Sequence, residues 1–373
     1  MRAIRRPPTR QSLRRPRRVP ALALAAGLAL GAAACGTSSG GTGASADPAS
    51  SFDSMSTSQL ASAANQEGSL TWYTTFADDD VQPIVAAFNK VYPKVKVNAL
   101  RLSADQIPAR IITEQRGGKY NADVVSGDSP QLAQILQAGA LQPFTPMDNA
   151  ALPAGLSLPK GYEGIVYIVT TTVAYNPQVV AQDHLPVPTS VQTFTDPAWN
   201  GEFSIDPSAV NWYDSLIKSM GHDKALALLK ALGANKPVFV DSHTQSLTDV
   251  QAGEPAGAVT AYGYKASSME KKTPDTVRFI NSDPLPSSLN LIDLAKNAPH
   301  PAAARLFEDW MVSQAGQTAV IQTTDHTSLR TDVTNDPTVW DPSKWTPAWG
   351  NPDLPDSQYN QELAEMKSAL QAP

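Results

Sequence analysis

Between Leu70 and Ala138, short β-branched or aromatic runs take turns with stretches whose apolar residues recur at helical spacing. That alternation limits the fold more than any other feature of the chain. Leu70-Thr71-Trp72-Tyr73 reads as a strand, and Val81, Ile84, Val85, Phe88 and Val91 then fall on one face of a helix. Val95 to Leu102 reads as a second strand. A helix opened by Ser103 as N-cap continues through Ile107, Ile111 and Ile112, with Pro108 tolerated in its first turns. Ala122 to Ser126 is again strand, and Pro130 to Ala138 is a helix stopped by Gly139. Strand and helix in alternation predict an α/β fold whose sheet is mostly parallel and covered on both faces.

At roughly 150 residues per domain, a chain of 373 residues has room for about two. The β-branched stretch Ile165 to Val173 is long for one strand, and we read it as the crossing from a first lobe to a second. The second lobe holds strand Phe203 to Ile205, a helix near Ala225 to Leu232, strand Val238 to Val240, helix Thr244 to Ala252 and strand Ala258 to Tyr262. Leu289 to Leu294 crosses back, and helix Pro301 to Val312 completes the first lobe. These readings assign residues 59–168 and 289–333 to lobe 1 and 169–288 to lobe 2. The remainder, 334–373, reads as an extended strap ending in helix Gln358 to Leu370, with Trp340, Trp345 and Trp349 as anchors against the body.

The N-terminus is an address rather than a fold. Eight arginines fall between Arg2 and Arg18, and an apolar stretch follows from Ala21 to Ala34. A basic segment feeding a short apolar one is the pattern of a signal peptide, and a membrane-spanning helix needs about 20 residues. Arg14 and Arg15 also admit a twin-arginine export route. Ala32-Ala33-Ala34 leads directly to Cys35, the sole cysteine, as in a bacterial lipoprotein signal (1–34) whose cysteine is lipidated. The alternative is a plain secretory signal with an incidental free thiol. Residues 35–58 are mostly Gly, Ser, Thr, Ala and Asp, which predicts a flexible tether.

Charge narrows the function. Without the arginine-rich segment the chain carries 21 basic and 35 acidic residues, a net charge of -14. A nucleic-acid or anionic-membrane surface needs clustered Lys and Arg instead. One cysteine excludes a disulfide scaffold, and the five histidines, at 184, 222, 243, 300 and 326, have no metal-ligand spacing. No nucleophile elbow or phosphate-binding lysine loop is present. An exported hydrolase remains the rival reading, with two carboxylates drawn from Asp128, Asp206 and Asp241.

Six phrases, in order from Leu70 to Gln317, carry a resemblance. They are LTWYTTFADDDVQPIVAAFNKVYPKVKV, ADVVSGDSPQLAQILQAGALQPF, VAYNPQVV, TDPAWNGEFSIDPS, KPVFVDSHTQSLTDVQAGEPAGAVTAYGY and HPAAARLFEDWMVSQAGQ. Together they resemble the extracellular solute-binding proteins of ATP-driven importers, relatives of the ferric-iron-binding proteins. The resemblance implies a two-lobed type 2 periplasmic-binding fold with two interlobe crossings, no catalysis and no cofactor. It further implies a monomer that captures a small solute and passes it to a membrane permease. The protein would then sit on the extracellular face of the cell membrane, held there through its lipid alone.

In such a fold the ligand lies beyond the carboxyl ends of strands, where helix N-termini offer unpaired N–H groups. The positions that match are Thr74 and Thr75 after the first strand, Ser126 and Asp128 after the third, Ser208 and Asn211 after Asp206-Pro207, and Ser242 and Thr244 after the Val238 strand. Helix capping accounts for each of them equally well. Asp78, Asp79 and Asp80 suit either a metal or the start of a helix. The resemblance implies that Tyr262 and Tyr264, in TAYGYK, correspond to adjacent tyrosines that ligate ferric ion in the iron-binding relatives. Here Gly263 separates them, and the first loop has no histidine. On one strand an i, i+2 pair points to one side. Lys265 places positive charge near the cleft. The solute is thus open among ferric iron, a small anion or phosphonate, and a polar organic compound.

Overall fold

The computed structural model describes residues 52–373 other than 53, 105, 143, 145–163, 342 and 353. Cys35, the signal segment and nearly all of the tether lie outside the described residues. In chain order the elements are helix α1 (Thr57–Glu67), strand β1 (Ser69–Thr74), α2 (Asp78–Val91), β2 (Lys96–Arg101), α3 (Gln106–Arg116), β3 (Val124–Asp128), α4 (Ser129–Gln137), β4 (Leu141–Gln142) and β5 (Gly164–Tyr175). There follow α5 (Pro177–Gln182), β6 (Phe203–Ile205), α6 (Val210–Met220), α7 (His222–Ala234), β7 (Val238–Phe239), α8 (His243–Ala252), β8 (Gly257–Tyr262), α9 (Gly263–Lys272), β9 (Arg278–Ile280) and β10 (Leu285–Ala295). The chain ends with α10 (Pro301–Val312), α11 (Gln314–Thr324), β11 (Pro347–Trp349) and α12 (Asp356–Leu370).

The strands join in the order β2-β1-β3-β10-β5-β8-β6-β7, with β4 and β11 added beside β10 and β9 beside β5. Within each lobe the βα units run parallel, as expected: β1 with β2 and β3, and β6 with β7 and β8. The two crossing strands run antiparallel to each other and to β3 and β8, while β11 joins β10 parallel, so the sheet is mixed. β5 carries the junction. Its first half pairs with β10 as far as Thr170, and from Thr171 it pairs with β8. The register of β10 against β5 shifts between Asn290 and Leu291.

Lobe 1 buries two cores, one on each face of its sheet. One gathers Trp72, Phe76, Phe88, Ile292, Phe307 and Trp310, and the other Ile107, Val125, Leu132, Leu289 and Leu291. Period-2 alternation along β10 sends Leu289 and Leu291 to one core and Ile292 and Leu294 to the other. Aromatic rings set the first core's geometry, with Trp72 and Phe307 centroids 5.2 Å apart and Phe88 edge-on to Phe307 at 5.0 Å.

α1 begins at Thr57, inside the stretch whose composition predicts a tether. Ser56 and Gln59 form a capping box that fixes its start. Its last residue, Glu67, then caps α10: its carboxylate accepts from the amides of Ala302 (3.1 Å) and Ala303 (2.7 Å). Buried Asp123 accepts from the backbone N–H of Thr71 (2.7 Å) and of His300 (2.6 Å), tying β1 to the start of α10.

Lobe 2 buries Phe194, Trp199, Phe203, Tyr213, Leu229 and Leu232, and α12 completes that core with Met366 and Leu370. The C-terminal segment therefore runs from one lobe to the other. Trp340 is buried in lobe 1, Trp345 and Trp349 pack against the same cluster, β11 pairs with β10, and α12 then closes lobe 2. Arg330 pins the start of this segment, with a two-bond pair to Asp332 at 2.8 Å each and a bond to the Val312 carbonyl.

Candidate functional site

The ends of β1, β3, β6, β7 and β8 and the helices that follow them converge on one cleft of about 390 Å³. Eight of the ten ligand positions chosen from the sequence line it: Thr75, Asp128, Ser208, Asn211, Ser242, Thr244, Tyr262 and Tyr264. Thr74 and Ser126 do not. Both are fully buried, and their hydroxyls are 2.9 Å apart, with Ser126 also accepting from the Trp72 indole at 2.9 Å and Thr74 from the Phe76 amide. They staple β1 to β3 behind the cleft wall.

On the lobe-2 side several of the polar groups are already engaged. Asp206 accepts from the Ser208 amide (2.8 Å) and hydroxyl (2.6 Å), and its other oxygen lies 3.5 Å from His243 Nε2. Ser242 caps α8 through the Gln245 amide, and His243 Nδ1 is bonded to the Thr260 carbonyl. On the lobe-1 side the Asn290 amide, 0 % exposed, donates 3.0 Å to one oxygen of Asp128 and 3.4 Å to Thr75.

The middle of the cleft is a stack of rings. His243 lies 4.2 Å from Tyr262, Tyr262 5.9 Å from Tyr264, Tyr264 4.1 Å from His326, and His326 4.1 Å from Tyr167. Tyr262 ends β8 and Tyr264 lies in the first turn of α9, so they straddle a strand-to-helix joint and do not share a strand. Gly263 permits it, since a Cβ there would fall 2.2 Å from the Thr170 hydroxyl. Burial pushes the phenols of Tyr167, Tyr262 and Tyr264 up, and the Asp128 carboxylate adds to the rise in each. Burial also drives the His326 imidazole down to about 3, with its Nδ1 bonded to the Thr324 hydroxyl at 2.7 Å. That ring is neutral near pH 7.

Nothing in the sequence marks Tyr167 as a cleft residue, and His243 and His326, which lack metal-ligand spacing, enter the cleft as rings instead. His326 meets Tyr167 because an isolated bridge joins Ile168 to Thr327, a pairing no local pattern announces. Arg101, Trp212 and Tyr359 also line the cleft from distant parts of the chain. Asp78, Asp79 and Asp80 form the first turn of α2, where the helix dipole favours acids. Among the described residues, no group of three or more His, Cys, Asp or Glu side chains is arranged to hold a metal ion.

Residues 83–347 match the model of a bacterial extracellular solute-binding protein family. An uncharacterized protein of Haemophilus influenzae is 26 % identical over 313 residues, which is 78 % of this chain and 88 % of that one. The iron-bound structure of HitA from Pseudomonas aeruginosa superposes with a TM-score of 0.69 at 23 % identity, covering 81 % of this chain and 99 % of the other. AfuA from Actinobacillus pleuropneumoniae, with fructose-6-phosphate bound, gives 0.71 at 18 % identity, covering 82 % and 100 %. Those neighbours share the two-lobed fold. With the family match spanning most of the chain, this protein belongs to the bacterial extracellular solute-binding proteins, which bind small ligands for ABC importers and are not enzymes.

Proposed function

We propose that this chain is a lipid-anchored receptor that captures a small polar solute in the cleft between its lobes and hands it to a membrane permease. The observation that carries this reading is the convergence of strand ends from both lobes on one cavity, beside the point where β5 exchanges its partner. Strand ends bring helix N-termini and short polar side chains to a ligand. Two lobes joined at crossing strands can close by a hinge, and the stretches Ile168 to Thr172 and Leu289 to Ile292 are where we place it. Capture and release then need no chemistry. The protein works as a monomer on the extracellular face of the membrane, with Cys35 as the lipidated residue.

Two measurements test this. Native mass spectrometry of the protein purified from its host should reveal a retained solute. Cys35→Ala should move a folded protein from the membrane fraction to the medium. Unchanged membrane retention of the variant sinks the anchor.

A second reading takes ferric iron as the solute. Tyr167, Tyr262 and Tyr264 supply oxygen donors in one cleft, and HitA is a solved iron-bound neighbour. Phenols raised by burial ionise only for a highly charged cation. Ferric citrate should then give a phenolate-to-iron absorption band that Tyr264→Phe weakens. No band is our expectation, because Gly263 breaks the adjacent-tyrosine pattern.

A further inference from the structure

The phenol hydroxyls of Tyr167, Tyr262 and Tyr264 line the cleft, and none has a hydrogen-bond partner among the described residues. Their ring faces do not serve a ligand. Tyr262 lies between His243 and Tyr264, and Tyr264 between Tyr262 and His326, so the phenols offer the solute their oxygens. Asp128 lines the same cleft and is the carboxylate that acts on all three phenols; Asp80 also acts on Tyr264 and Tyr167, and Asp206 on Tyr262. One Asp128 oxygen is held by Asn290; the second has no partner among the described residues, and no Lys or Arg pairs with it. Burial raises the Asp128 carboxyl, the Asn290 hydrogen bond and the charge of His243 offset that rise only in part, and a cationic ligand beside the open oxygen would hold it ionised.

The wider lining has the same sign. Asp128, Asp206 and Asp241 face the cavity, and Arg101 is the one Lys or Arg side chain among the lining residues. His326 is neutral and Lys265, expected from the sequence to favour an anion, is not part of the lining. An anion entering would meet more negative charge than positive. A trivalent cation would meet one unpaired carboxylate and three neutral phenols, a poor match in charge. A protonated amine fits both counts: it is a monocation whose three N–H donors can serve one carboxylate oxygen and two phenol oxygens at a time.

We infer that the solute carries an ammonium group, seated between Asp128 and the hydroxyls of Tyr167, Tyr262 and Tyr264. The inference rests on the solute-receptor reading and names the chemistry of one end of its ligand.

Isothermal titration of the full chain in mild detergent tests it, with ethanolamine, putrescine and choline as amine probes and inorganic phosphate and ferric citrate as rivals. Ethanolamine or putrescine should bind saturably, and choline, without N–H donors, more weakly. Asp128→Asn should weaken amine binding about 100-fold, and Tyr264→Phe about 10-fold, with melting temperatures showing that each variant is folded. Amine binding that survives both substitutions, or no saturable amine binding at millimolar concentration, overturns the inference. Binding of phosphate or ferric citrate alone also overturns it while leaving the receptor reading intact. A receptor that binds no probe and retains no solute from its host fails at the earlier step.

Discussion

The two lobes reach the same architecture by different economies. Lobe 1 is closed by segments near both of its ends: α1 delivers Glu67 to the start of α10, and Asp123 ties β1 to the same point. Lobe 2 has ties of its own, in the Asn235 amide donating to the Phe194 carbonyl and the Asn176 amide to that of Val250, but it also takes α12 from the far end of the chain, whose Met366 and Leu370 fill its core. The strap supplies lobe 1 with Trp340 and the strand β11, whereas lobe 2 waits for α12 at the end of the chain. The strap that carries α12 across also runs beside β10, so it links the lobes on the side of a crossing strand.

Removing residues 356–373 is the harshest way to break this comparison. It strips Met366, Ala369 and Leu370 from the lobe-2 core, at about 2 kcal/mol for each large side chain. The Tyr213 hydroxyl also loses Glu365, its partner at 2.7 Å. Calorimetry should show one transition split into two, with lobe 2 melting first. A single unshifted transition would mean that lobe 2 is self-sufficient.

Matched glycine substitutions come next. At Gly316 a Cβ would lie 1.7 Å from the Trp310 carbonyl oxygen, in the middle of lobe 1. At Gly233 it would lie 2.5 Å from the Ala369 carbonyl oxygen, at the contact between α7 and α12. Gly316→Ala should cost about 3 kcal/mol or more because two covalently fixed turns must part. Gly233→Ala should cost about 1–2 kcal/mol, since α12 can shift as a unit. Chemical denaturation of both variants checks the order, and equal losses would argue that α12 is fixed as rigidly as the turn at Gly316. Asp123→Ala, which strands the amides of Thr71 and His300, should cost about 2–3 kcal/mol, with unfolding of lobe 1 first.

The smallest net effect is in pH, where two groups pull in opposite directions. His326 titrates near 3 in the fold against 6.5 unfolded, so below 6.5 the unfolded chain takes up a proton that the fold refuses. Stability falls with falling pH in that window, by at most about 1.4 kcal/mol per unit. Asp80 is raised, chiefly by burial, to about 6 from 3.8, so between those values the fold binds the proton and stability rises as pH falls. The two slopes oppose each other between pH 6 and 4. Asp80→Asn should expose the acid sensitivity of His326, and His326→Gln should leave a stability that improves on mild acidification. Identical profiles for both variants would show that neither group titrates as its surroundings dictate.

Elements with their own strong pattern were legible in the sequence. Phe203–Ile205 and Pro301–Val312 lie where apolar spacing puts them, and the α/β class follows from alternation alone. Helices with thin apolar faces were not. α1 buries only Leu60 and Ala64, and α9 reads GYKASSMEKK, with its first residues continuing the strand pattern of β8. Within the site, the sequence offers Thr74 as a ligand although Trp72, two residues earlier on the same strand face, already marks that face as core. The tyrosine and histidine stack depends on residues from β5, α8, β8, α9 and the loop after α11. Only the folded sheet brings them together, so no window of sequence could contain it.

The central claim is that the lobes close on a solute held between them. Small-angle scattering of residues 54–373, with and without the solute eluted from protein purified from its host, tests it most directly. Closure predicts a smaller radius of gyration at saturation, returning to the open value when the solute is dialysed away. Superimposable curves at saturation would contradict the account, because a cleft that binds without moving leaves the crossing strands no hinge to serve.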